Sequence, residues 1–244
     1  MEHPRFEYEI QNGVVDPAKD MLPGAGLEWF SVQHWTAAQD GNVAAAIFPL
    51  DASLVTFGDI ARGIWPREFG QRKPALFSYV MNNYWDTNYR AGQGGDFVFR
   101  YVFTSGRKLD AASLSRLGWE ESTPLETDRI TSQDKAINLP RPLDSKQGSF
   151  LEVNRPNVLL LTWKEAEDDQ GTILRFLEIG GEAGPAEITI PLLKVESAWR
   201  CNAMEANQLA LQLVGDHGFK FDIKPHQIVT VRVKGTSTLP ALVR

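Results

Sequence analysis

The chain has 244 residues with 25 Lys+Arg against 31 Asp+Glu, a formal charge of −6, and its basic residues are scattered singly, which excludes the concentrated positive surface of a nucleic-acid binder. Its 43% hydrophobic and 23% charged residues exclude a disordered chain, and the length suffices to bury roughly 70–75% of the unfolded surface. A lone Cys201 excludes an intrachain disulfide framework and any zinc site that needs two cysteines, while the absence of an apolar run after Met1, or of one approaching roughly 18 residues anywhere, predicts neither a signal peptide nor a membrane span. A segment preceding Met1 would change the first of these, so localisation stays open.

In chain order, apolar runs separated by turn residues predict strands at 43–48 and 76–81, and then the period-2 segment Phe97–Phe103, whose four aromatics alternate with Val98, Arg100 and Val102. One helix follows: Asp110 is placed to cap the amides of Ala112 and Ser113, Leu114 and Leu117 form an apolar edge, and Gly118 offers a left-handed stop. From about residue 120 to 147 the chain is rich in Pro, Ser and Gly and reads as a linker. Strands are then predicted at 158–164, 173–178, 186–190, 209–213, 219–223 and 228–233. This predicts an all-β chain of two sandwich-type units, 1–147 and 148–244.

The four histidines, His3, His34, His217 and His226, are not spaced for a shared metal, and Gly92–Gly95 leads into a strand rather than a helix, so it reads as a hairpin loop instead of a phosphate cradle. The richest segment chemically is Asn82, Asn83, Tyr84, Trp85, Asp86, Asn88, Tyr89 and Arg90. Amides and a carboxylate can pair with sugar hydroxyls while aromatic faces cover pyranose C–H groups. Against this stands a local fold of Asx turns and core aromatics. Asp51, Asp59 and Asp96 supply carboxylates nearby, yet sequence spacing cannot set two of them across a glycosidic bond, so no catalytic pair is assigned. In the second unit, Asp168 to Gly171 reads as a solvated acidic turn rather than a calcium site, Arg175 and Glu178 as a polar strand face carrying a surface ion pair, and Cys201 as a small buried residue rather than a nucleophile.

Several stretches together resemble the C-terminal half of family 38 glycoside hydrolases, the retaining α-mannosidases. They are Ser31-Val32-Gln33-His34-Trp35, Phe48 to Val55 with Phe57-Gly58-Asp59-Ile60, the Asn82 to Tyr89 segment, Phe99-Arg100-Tyr101, Asn157 to Lys164, Leu174 to Glu178 and Ile228 to Val233. The resemblance implies a portion of a galactose-mutarotase-like supersandwich followed by a small C-terminal β-sandwich. It also implies that the zinc ion, the aspartate nucleophile and the acid/base carboxylate belong to a catalytic barrel outside this chain, which itself has no cofactor. Asn82 to Arg90, with His34, then become candidates for contact with a mannoside or with the missing barrel, and the face left by that barrel would expose Trp or Phe or be hidden in a homodimer. Two further functions compete: a stand-alone carbohydrate-binding module, and a mutarotase-type enzyme using a histidine and a carboxylate.

Overall fold

The computed structural model describes residues 1–60, 65–81, 88, 92, 94–127, 129, 131 and 148–239. They form seventeen strands and one helix, an all-β chain, divided into units Met1–Pro124 and Leu125–Arg244.

In the first unit β1 (Arg5–Ile10), β2 (Gly13–Val15), β4 (Thr36–Gln39), β5 (Ala44–Pro49) and β8 (Tyr101–Gly106) make an antiparallel sheet in the order β2-β1-β4-β5-β8. A small sheet of β3 (Phe30–Ser31), β6 (Leu54–Phe57) and β7 (Leu76–Ser78) contributes to the core of one face. Alternation in Arg5-Phe6-Glu7-Tyr8 puts Phe6 and Tyr8 among Phe30, Phe57 and Phe69, with Phe6 and Phe57 ring centroids 4.8 Å apart. The opposite face carries Trp35, Ala37, Ala46 and Phe48, and helix α1 (Ala111–Ser122) seals it with Leu114.

The helix starts as its cap residue predicts, Ser113 N–H donating to Asp110 Oδ1 at 2.9 Å, but it does not stop at Gly118. That glycine lies mid-helix because a Cβ there would stand 2.5 Å from the Cβ of His34. It sets close packing, not a terminus. The aromatic run near 100 also differs from expectation: β8 begins only at Tyr101, because its partner β5 ends at Pro49. As an edge strand it turns Val102 and Thr104 partly inward and leaves Tyr101 and Phe103 outward, Phe103 with 65% of its surface exposed.

In the second unit β10 (Val158–Glu165), β11 (Thr172–Glu178), β17 (Ile228–Ser237), β13 (Leu193–Cys201) and β14 (Asn207–Ala210) form one antiparallel sheet in the order β10-β11-β17-β13-β14. The second sheet runs β15 (Gln212–Val214), β16 (Gly218–Ile223), β12 (Gly184–Thr189) and β9 (Glu152–Val153). Leu174, Phe176, Val229, Val231 and Val233 from the first meet Ala186, Ile188, Phe219, Phe221 and Ile223 from the second in one dry core. Burying side chains of this size contributes about 1.5–3 kcal/mol each before entropy is charged against it. The apolar run predicted as one strand over 209–213 is two: the chain leaves the first sheet after Ala210 and joins the second at Gln212.

Candidate functional site

Of the residues picked from sequence, Asn82, Asn83, Tyr84, Trp85, Asp86, Tyr89 and Arg90 lie outside the described residues, and Asn88 is exposed. The two points from which that segment departs and returns are described. On the departing side, Tyr79 N–H donates to Leu54 O at 2.8 Å, and the Tyr79 ring meets Trp29 edge-on with centroids 4.5 Å apart. On the returning side, the Arg100 backbone N–H and Nε donate to Asp51 Oδ2 at 2.7 and 3.0 Å, and Nη2 donates to Oδ1 at 2.8 Å. A hydrogen bond from Tyr101 Oη to Ser78 Oγ, 2.9 Å, ties the two sides together.

This triple contact holds the Asp51 carboxyl at about 2, below its ordinary 3.8, chiefly through the Arg100 side chain and then its backbone amide. Because the folded value is the lower one, the contact is fully formed above the ordinary carboxylate value and is lost as pH falls through about 2. Carboxyl-carbon NMR is expected to show Asp51 titrating near 2 in the wild type and rising toward 3.8 in Arg100→Gln. An unmoved midpoint in the variant would refute the pairing. Asp59 accepts from Ile60 N–H, and Asp96 is exposed.

His34 has a partner that sequence reading missed. Its Nδ1 lies 2.7 Å from Glu9 Oε2, with His34 7% and Glu9 6% exposed, and its ring packs on Trp119 of α1 at 4.6 Å. The separation of 25 positions hides this pair from any spacing rule. The pair orders β1, the approach to β4 and α1 around one buried polar contact.

In the second unit the acidic turn is anchored rather than merely solvated. Asp168 accepts from Arg232 Nη1 at 2.5 Å, while buried Glu205 pairs with Lys164 Nζ at 2.8 Å and accepts the Glu167 amide at 2.9 Å. Lys164 and the Glu167 amide draw the Glu205 carboxyl below its usual range, and Arg232 does the same to Asp168. Gly171 closes the turn at φ 100°, where a Cβ would stand 2.6 Å from Val233 O. Cys201 is buried, its Sγ–H directed to Asn207 Oδ1 at 3.3 Å. The expected Arg175–Glu178 surface pair is absent among the described residues: Glu178 is fully buried, and Arg175 donates instead to Ala203 O at 3.2 Å. Three residues apart on a strand, the two point to opposite faces. Among the described residues no group of three or more His, Cys, Asp or Glu is placed to hold a metal ion, so these side chains do not fit a zinc centre.

Two antiparallel sheets around one core, with polar side chains confined to loops and outer faces, define the second unit as a β-sandwich domain. Residues 157–231, within the second unit, match the family described as glycosyl hydrolases family 38 C-terminal beta sandwich domain. The fold is also similar to the crystal structure of an alpha-mannosidase from Enterococcus faecalis V583, with a TM-score of 0.55 and 12% identity over 96% of this chain and 24% of that one. The chain thus spans about a quarter of the protein it matches, and at that identity the likeness is one of fold. No curated protein matches it in sequence.

Proposed function

We propose that this chain is the non-catalytic C-terminal β region of an α-mannosidase-like glycosyl hydrolase, with cleavage of α-mannosidic bonds carried out by a barrel outside these 244 residues. The observation that carries the reading is the family 38 match over 157–231 within a fold that is similar to an alpha-mannosidase along nearly its whole length. Glycoside hydrolysis needs two carboxyl groups at a fixed separation across the scissile bond. Three of the described carboxylates are instead engaged by basic side chains, Asp51 by Arg100, Glu9 by His34 and Glu205 by Lys164. In this reading the zinc, the nucleophile and the acid/base group are the barrel's contribution, and the β region supports it. The outward aromatics of β8, Tyr101 and Phe103, are the surface on which the barrel, or a second copy of this chain, would rest. The segment from Asn82 to Arg90 precedes that strand by ten residues of sequence and is the part that would approach a mannoside or the barrel.

Assay of the purified chain on an aryl α-mannoside is expected to give no turnover, and supplying the catalytic part of the same enzyme in trans is expected to bind the chain. Hydrolysis by the chain alone would overturn the reading. Retardation on immobilised mannan without hydrolysis would instead favour a self-sufficient carbohydrate-binding module.

A further inference from the structure

The outer face of the five-stranded sheet in the second unit carries an unusual cross-strand row. Pairing registers align Thr162 with Arg175, Arg175 with Thr230, Thr230 with Cys201, and Cys201 with Asn207, so one polar residue from each strand lies along a single line. Outward positions on a sheet face solvent unless something covers them. Here the loop after β13 rises beside the row and makes a groove of about 420 Å³, lined among others by Thr162, Arg175, Asn202, Gln208, Ile228 and Thr230. That volume is in the range of small-molecule sites.

We infer that this groove binds a small polyol bearing one carboxylate or phosphate group, an acidic monosaccharide in size and chemistry. No Asp or Glu lines the groove, although the chain as a whole carries an excess of acid. Two arginines line the groove, Arg175 and Arg200; the Arg175 guanidinium is a third exposed and held in place by Nη2 donating to Ala203 O, while Arg200 Nη1 donates to Asp222 O at 3.5 Å. The nearest carboxylate, Glu205, stands 3.9 Å from Arg175 but is already engaged by Lys164 and the Glu167 amide, so the Arg175 charge is only partly compensated. An oxyanion completes that guanidinium as a charge-assisted acceptor. The hydroxyls of Thr162 and Thr230 and the amide of Gln208 offer donors and acceptors for a polyol, Asn202 adds its Nδ2 donors while its Oδ1 accepts from the Met204 and Ala206 amides, and Ile228 offers an apolar wall for its C–H face. Thr230 is only 6% exposed and borders the cavity. The site stands wholly within the second unit and is independent of any barrel.

The test is an amide NMR titration of the full chain with glucuronate, glucose 6-phosphate and the neutral methyl α-mannoside, each to about 10 mM, which detects dissociation constants up to about 10 mM. Saturable shifts confined to Thr162, Arg175, Thr230 and their neighbours are expected with one or both acids and not with the neutral sugar. A response to glucuronate alone assigns a carboxylate ligand, and one to glucose 6-phosphate alone assigns a phosphate ligand. Arg175→Gln is expected to weaken binding at least about tenfold, the loss of one charge-assisted hydrogen bond. Thr230→Val, which keeps shape and strand propensity, should weaken it about threefold or more and decides the matter should the arginine variant not fold. Absence of saturable shifts with either acid, equal response to the neutral sugar, or unchanged affinity in Thr230→Val would overturn the inference.

Discussion

Replacing Trp35 with Ala is expected to destabilise the first unit by about 3–5 kcal/mol, the range for truncating a large aromatic in a core that cannot collapse around the void. Trp35 is the largest of the fully buried side chains and lies between the β4–β5 face and α1, touching the same cluster as Phe48 and Leu114. Its indole Nε1–H donates to Ser115 Oγ at 3.0 Å, across 80 residues of sequence, so the one side chain supplies both packing and a polar latch to the helix. With 12 residues, α1 is too short to persist without tertiary packing, and its loss should follow that of its seat. Hydrogen-exchange mass spectrometry of the full chain would show peptides from 111–122 losing protection in Trp35→Ala, with the strands of the second unit unaffected. Trp35→Phe separates the two contributions. It retains most of the packing, leaves the Ser115 hydroxyl without its donor, and should cost about 1–2 kcal/mol. Protection of α1 that is indifferent to Trp35→Ala would refute the latch.

The strands that could be read in advance are those whose alternation is local and unbroken. Gly218–Ile223 and Ile228–Ser237 announce themselves because Phe219 and Phe221, or Val229, Val231 and Val233, repeat at the pleat period and end up on one core face. Leu193–Cys201 alternates too, but an extra residue between Val195 and Ser197 shifts its phase, and a bulge of that kind blurs the pattern that identifies a strand. Leu209 to Leu213 shows a different limit. Local hydrophobicity says that the chain is extended there, but not that it changes partner sheets at Leu211. Gly118 misled because a glycine near the end of an apolar helical pattern signals a stop, whereas here His34, 84 positions away, demands the missing side chain. The same non-locality hid the Glu9–His34 contact and the row from Thr162 to Asn207: each depends on registers between strands, which no single segment encodes.

Glu178→Ala is expected to cost the second unit about 3 kcal/mol or more, because several buried donors lose their acceptor together. One carboxylate oxygen accepts from Asn157 Nδ2 at 2.7 Å and Gly180 N–H at 2.8 Å, and the other from Gly181 N–H at 2.8 Å and His226 N–H at 2.9 Å. The side chain therefore gathers the end of β11, the turn after it, the residue before β10 and the turn before β17. Burial pushes this carboxyl up, but the backbone amides of His226, Gly180, Glu182 and Gly181 together outweigh burial and leave it below its ordinary 4.5. Since the folded value is the lower one, the carboxylate contributes fully above 4.5, and its contribution fades as pH falls through the lowered value. Glu178→Gln keeps the size but turns an amide donor toward backbone donors, so it should recover only part of the loss and should flatten the acid limb of the stability curve. The exposed Glu187→Gln on β12 is the control and should stay within about 0.5 kcal/mol of wild type. Urea denaturation of the full chain, followed by NMR signals of the second unit at neutral and acid pH, measures all three variants. Should Glu178→Ala lose no more than the Glu187 variant, or should Glu178→Gln keep the wild-type acid limb, the four donors must find water as readily as the carboxylate, and the buried anion would no longer explain how these turns are held.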